Sequence, residues 1–143
     1  VKNIYGTSKG DTLNGSAADN MFWTYSGNDV AYGKGGDDTF SDFAGGPNAF
    51  TGSDKYFGGS GDDFFLTMNG KDTMSGGGGD DDFISYNRED IVVRGGAGKD
   101  QLTLAVGREA DFDVVYHHGS HIIYEHDGQT IDVRGVEKID WSN

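Results

Sequence analysis

The chain contains no cysteine and only one proline in 143 residues, so neither disulfides nor proline-stiffened loops hold it together. Basic side chains are scarce, with 11 Lys and Arg against 24 Asp and Glu, for a formal net charge of −13. Such a surface repels phosphate backbones and anionic bilayers, so neither nucleic acid nor an anionic membrane surface is expected as a partner. No apolar run is long enough for a secretory signal or a membrane span. H-E-x-x-H and a Walker loop are absent too, and the many acid pairs such as Asp62-Asp63 belong to a repeat. No catalytic residue is therefore assigned, and the segment is read as non-catalytic. A chain that opens on Val1 reads as a fragment, with any enzyme, toxin or adhesin activity of its parent lying upstream.

Glycine is what the chain has in quantity, 25 residues, and it is placed periodically. The clearest copies are Gly33-Lys34-Gly35-Gly36-Asp37-Asp38-Thr39-Phe40-Ser41, Gly58-Gly59-Ser60-Gly61-Asp62-Asp63-Phe64-Phe65-Leu66, Gly76-Gly77-Gly78-Gly79-Asp80-Asp81-Asp82-Phe83-Ile84 and Gly95-Gly96-Ala97-Gly98-Lys99-Asp100-Gln101-Leu102-Thr103. Each follows G-G-x-G-x-D-x-U-x, where U is large and apolar. Glycines at positions one, two and four permit positive φ and close backbone approach, so successive carbonyls bend toward one point. The aspartate at position six adds a hard anionic oxygen. Calcium takes about six to eight oxygens at roughly 2.3–2.6 Å, more than one turn supplies, and two stacked turns complete the shell.

On these motifs the chain resembles the RTX (repeats-in-toxin) family over roughly residues 6 to 103. The resemblance implies an all-β, right-handed parallel β-roll, a two-sheet solenoid with multiple Ca2+ ions along its edges. Position eight supports that expectation: Leu13, Phe22, Ala31, Phe40, Tyr56, Phe65, Met74, Phe83, Val92 and Leu102 read as the inward residues of short strands. Residues 1–5 read as an entering strand, 6–103 as the roll and 104–143 as a β-rich cap that overlaps any C-terminal secretion signal.

Consecutive turns fall on opposite edges, which sorts the ligand positions into two rows. One row holds Asn20, Asp38, Asp63, Asp81 and Asp100; the other holds Asp11, Asp29, Asp54, Asp72 and Asp90. In the second row Thr24, Thr67 and Ser85 replace the opening glycine, and Tyr25, Met68 and Tyr86 follow, suggesting longer strands and tighter turns there. Calcium is therefore expected between Asp38, Asp63, Asp81 and Asp100, with weaker or missing ions opposite. The register breaks twice, at Asp42 to Asn48 around Pro47 and at Arg94. The first break is either a tolerated turn enlargement or a lip for a ligand.

A thin row of inward side chains does little against the entropy of ordering a glycine-rich, self-repelling chain, so folding is expected to require calcium. Roughly six divalent ions would bring the charge near neutrality. The family resemblance implies a Gram-negative bacterial protein, secreted or at the cell surface, exported unfolded by a type I secretion apparatus. After Thr103 the pattern becomes alternating, with a hairpin turn at Asp127-Gly128, as an open solenoid end requires. His117, His118, His121 and His126 all lie in this tail, either as solvated hairpin residues or as a zinc or copper site. Met21, Trp23, Tyr32, Phe57, Phe64, Leu66, Ile84 and Val93 are expected to face outward. They suggest either packing against a neighbouring domain or an adhesin or carbohydrate-binding surface.

Overall fold

In the computed structural model, which describes residues 2–42 and 52–142, the chain crosses back and forth between two sheets. One stacks β1 (Lys2–Tyr5), β3 (Asn20–Trp23), β5 (Thr39–Ser41), β7 (Phe64–Thr67), β9 (Asp82–Ser85), β11 (Gln101–Leu104) and β15 (Lys138–Trp141). The other stacks β2 (Thr12–Asn14), β4 (Val30–Tyr32), β6 (Lys55–Ser60), β8 (Thr73–Gly78), β10 (Ile91–Ala97) and β14 (Gln129–Arg134), then continues into β13 (His121–His126) and β12 (Asp113–His118). All pairings are parallel except those of the β12–β13–β14 meander. This is an all-β parallel β-roll, and among the described residues no helix is long and apolar enough to cross a membrane. The surplus segment after Asp42, with Pro47, lies largely outside the described residues.

The core is one layer of side chains between the sheets. Phe22, Phe40, Phe65 and Phe83 form a column of nearly parallel rings with centroids 4.7, 4.8 and 4.7 Å apart. That spacing is the distance between hydrogen-bonded strands, so each coil places one phenyl face on the next. Ala31, Tyr56, Met74 and Val93 line the facing sheet and are fully buried. Leu13, in the terminal coil, is only half-buried.

One stretch departs from the expected register. Val93 pairs with Met74 and is buried, while Val92 pairs with Thr73 on the outer face. The roles assigned to Val92 and Val93 are thus exchanged. The extra residue lies upstream of Ile91, in the turn after Ser85, and not at Arg94. The run Ile91-Val92-Val93 is apolar throughout, and a one-residue slip moves each side chain to the opposite face without any polar residue to object. Strand lengths also differ from expectation: the longer strands, β6, β8 and β10, are those that run into the glycine turns. There Gly59, Gly77 and Gly96 remain paired across coils and prolong the ladder.

Beyond Leu104 the roll acquires one more coil without the nonapeptide sequence. β14 pairs parallel with β10 and β15 parallel with β11, joined by the short turn Gly135-Val136-Glu137. The β12–β13 hairpin then extends one sheet in antiparallel fashion. Phe112, Tyr124, Val136 and Trp141 close the apolar layer at this end.

Candidate metal centre

On the glycine-rich edge, position six builds a ladder. The N–H of Asn20 donates to Asp38 Oδ1 at 2.7 Å, that of Asp38 to Asp63 Oδ1 at 2.8 Å, and those of Asp63 and Asp81 to Asp81 and Asp100 Oδ1 at 2.9 Å. Each carboxylate spends one oxygen on the preceding coil. Its other oxygen has no hydrogen-bond partner: Oδ2 of Asp38, Asp63, Asp81 and Asp100 is buried and unsatisfied. Leaving even one such group unmatched is costly, and four in a line point to a ligand with positive charge.

The glycines explain why there is room. At position one the requirement is space: a Cβ on Gly58 would overlap Asp63 Oδ2 and sit 2.7 Å from Gly76 O, and Gly33, Gly76 and Gly95 are enclosed in the same way. At positions two and four the requirement is conformation, with φ of 116° at Gly77 and 122° at Gly79. The carbonyls of Gly59 and Gly61 are directed across the stack at Gly77 and Gly79, and those of Gly77 and Gly79 at Gly96 and Gly98. In the first coil Lys34 takes position two with φ 83°, between the buried Gly33 and Gly35.

The position-three and position-five residues lie further out. Ser60 and Gly78 pair across coils at the rim. Asp37, Asp62 and Asp80 are exposed and form a second ladder running the other way, each accepting the N–H of the next coil at 2.8–2.9 Å. They add negative potential without joining the buried line.

Burial raises Asp38 and Asp81 to about 6 and Asp63 to about 7, the ladder N–H lowering and neighbouring carboxylates further raising each. Asp100 moves in the same direction, again chiefly through burial. Among the described residues no three His, Cys, Asp or Glu side chains surround one point. The edge instead combines paired carboxylates with main-chain carbonyls, a hard, all-oxygen donor set that suits calcium and not a soft metal.

A family model for the RTX calcium-binding nonapeptide repeat, in four copies, matches residues 5–40 and 48–83, half of the chain. The chain belongs to the RTX calcium-binding repeat family. No curated protein matches it. RTX nonapeptide repeats bind several Ca2+ ions per domain, and this chain is a calcium-binding, structural module of the kind found in secreted bacterial proteins. Calcium bound at this edge would supply the positive charge and the coordination that the unsatisfied oxygens lack.

The opposite edge of this RTX roll is built differently. Asp11, Asp29 and Asp54 also donate N–H to Oδ1 of the next coil, at 2.7, 2.8 and 2.9 Å. Their second oxygens, however, are mostly taken. Tyr56 donates to Asp54 Oδ2 at 2.9 Å, Asn87 Nδ2 to Asp72 Oδ2 at 2.7 Å, and Thr7 to Asp11 Oδ2 through both N–H and hydroxyl. Only Asp29 Oδ2 is buried and unmatched in this row. The opening residues Thr24, Thr67 and Ser85 are fully buried and place hydroxyls where the other edge leaves space. Asp90 is out of line, because the extra residue puts Ile91 at the ladder position. Its carboxylate accepts the N–H of Thr130 and pairs with Lys71 at 3.0 Å, which holds it below the usual carboxylate range.

Sequence reasoning overlooked Tyr56 and Asn87 as polar partners of this edge. Their signal was faint: Tyr56 occupies an ordinary core position, and Asn87 lies in a turn. Of the histidines, His121 contacts Asp132 at 3.0 Å and His126 packs on Phe112.

Proposed function

We propose that this chain is a calcium-driven folding module of a larger secreted bacterial protein, with an entering strand over residues 1–5, a roll over 6–103 and a cap over 104–143. The observation that carries this reading is the unbroken line of buried, unmatched Oδ2 atoms from Asp38 to Asp100. Without cations these carboxylates must take protons or return to water, and the second course means unfolding. The ions lie along the edge formed by Asp38, Asp63, Asp81 and Asp100 with their glycine carbonyls. The edge of Asp11, Asp29, Asp54 and Asp72 holds fewer, since protein donors already serve most of its carboxylates.

Coupled folding suits export. Cytosolic free calcium is far below the ~0.1–1 mM affinities of extracellular modules, so the chain remains threadable for a type I apparatus inside the cell and becomes rigid outside. Circular dichroism during a calcium titration tests this: a disordered spectrum in excess chelator gives way cooperatively to β structure. A native sheet spectrum in chelator at pH 8 overturns it.

A second reading is favoured by Tyr32 and Phe57, which stack on the outer face of one sheet with centroids 5.1 Å apart. Such a platform suits a sugar ring or a neighbouring domain. Glycan-array binding at saturating calcium that disappears in Phe57→Ala supports recognition; an empty array removes it.

A further inference from the structure

The aspartate ladder does not stop where the nonapeptides do. The N–H of Asp100 donates to Glu137 Oε2 at 2.7 Å, repeating with the cap the bond that Asp81 makes with Asp100. The N–H groups of Glu137 and Lys138 return to Asp100 O at 3.0 and 3.2 Å. Gly135 stands opposite Gly95: its carbonyl closes on the Gly95 α-carbon as the Gly76 carbonyl does on Gly58 and the Gly95 carbonyl on Gly76. Within this enclosure Asp100 is 1% exposed, and its Oδ2 is buried without a partner.

The turn Gly135-Val136-Glu137 thus reproduces positions one and six of a repeat, with Val136 alone in place of the four residues between. The shortened turn stays in register, and glutamate, one methylene longer than aspartate, places its Oε2 on the Asp100 N–H. Val136 turns into the core and is buried, while the carboxylate remains at the edge.

We infer that Asp100, Glu137 and the Gly135 carbonyl form a further calcium site, in which the cap supplies the second half that no nonapeptide provides. The ion fastens β15 and the end of the roll to β11, so the last coil becomes ordered together with the repeats. This inference rests on the calcium reading above and assigns to it a site outside the repeat sequence.

Isothermal titration of the full chain with Ca2+ is compared for the native sequence and Glu137→Gln, which keeps an acceptor for the Asp100 N–H but loses the charge. The variant is expected to bind one ion fewer. In calcium it loses hydrogen-exchange protection at the Glu137 and Lys138 amides while retaining it at Asp63 and Asp81. An unchanged ion count with unchanged protection overturns the site. As a check independent of any variant, native crystals grown in calcium are expected to place an ion against Asp100 Oδ2 and the Glu137 carboxylate. Density at the Asp38–Asp100 pairs with none here overturns this inference alone, and a native chain that binds no calcium overturns both.

Discussion

The hydroxyl of Tyr56 donates to Asp54 Oδ2 at 2.9 Å from a side chain with no exposed surface, and meets Thr24 Oγ1 at 2.8 Å on its other side. A core residue thus serves as the polar partner that the opposite edge lacks. Tyr56→Phe conserves the packing and leaves a buried carboxylate oxygen unmatched, at a cost of about 1–3 kcal/mol. The melting temperature in saturating calcium is expected to fall by several degrees with no loss of bound ions, as read by calorimetry and titration. Unaltered melting would mean that the hydroxyl is dispensable on this edge.

Asp63 stands between Asp38 and Asp81 in the ladder, in the middle of the line of unmatched oxygens proposed to hold calcium. Asp63→Asn preserves the ladder acceptor and removes the charge. The calcium midpoint for folding is expected to rise by about tenfold or more, a change of roughly 1.4 kcal/mol per decade. Asp62→Asn, one residue away on the exposed ladder, shifts it less. Equal shifts would show that general surface charge, and not the buried line, governs affinity.

Much of this edge was legible because its chemistry is written in residue type: only glycine fits beside the oxygens of Asp38, Asp63 and Asp81, and only a large apolar residue fills the phenyl column. The misplacement of Asp90 and of Val92 against Val93 arose where that writing fails. Ile91, Val92 and Val93 satisfy either register, and only the inter-coil pairing with Thr73 and Met74 decides between them. Glu137 was missed because its turn drops most of the motif and keeps only a Gly-x-Glu. The satisfaction of Asp54 and Asp72 depends on residues 2 and 15 positions away, Tyr56 and Asn87, which a nine-residue period does not connect.

Protons and calcium compete for the same oxygens. Burial lifts Asp38, Asp81 and Asp29 to about 6, Asp63 and Asp42 to about 7 and Asp72 to about 8, with neighbouring carboxylates contributing. A raised carboxylate binds its proton more tightly in the folded chain than in the unfolded one. Between about pH 4 and 8 the folded state therefore holds more protons, and its calcium-free stability falls as pH rises. In chelator, β structure by circular dichroism is expected to increase from pH 8 to pH 5. Over the same acidification the calcium concentration that half-fills the folded sites rises, because protons must leave these oxygens before the ion enters. A calcium-free spectrum that does not respond to pH would mean that carboxylate repulsion is not what keeps the chain unfolded.

Gly58 and Gly78 separate the two reasons for glycine in this roll. A methyl on Gly58 would overlap Asp63 Oδ2 and lie 2.7 Å from the Gly76 carbonyl, so it would intrude on the space beside the oxygens proposed to hold calcium. A methyl on Gly78 would meet nothing within 4 Å, and the backbone there is outside the left-handed region. Gly78→Ala is therefore expected to be neutral or to stabilise by about 0.4–1 kcal/mol, because it narrows the unfolded ensemble. Gly58→Ala is expected to raise the calcium midpoint by more than about tenfold or to abolish folding, the overlap being with backbone and with a carboxylate proposed as a ligand. Parallel calcium titrations of the two variants decide the matter. If Gly58→Ala folds at the native calcium concentration, the oxygens around its α-carbon are not what calcium binds.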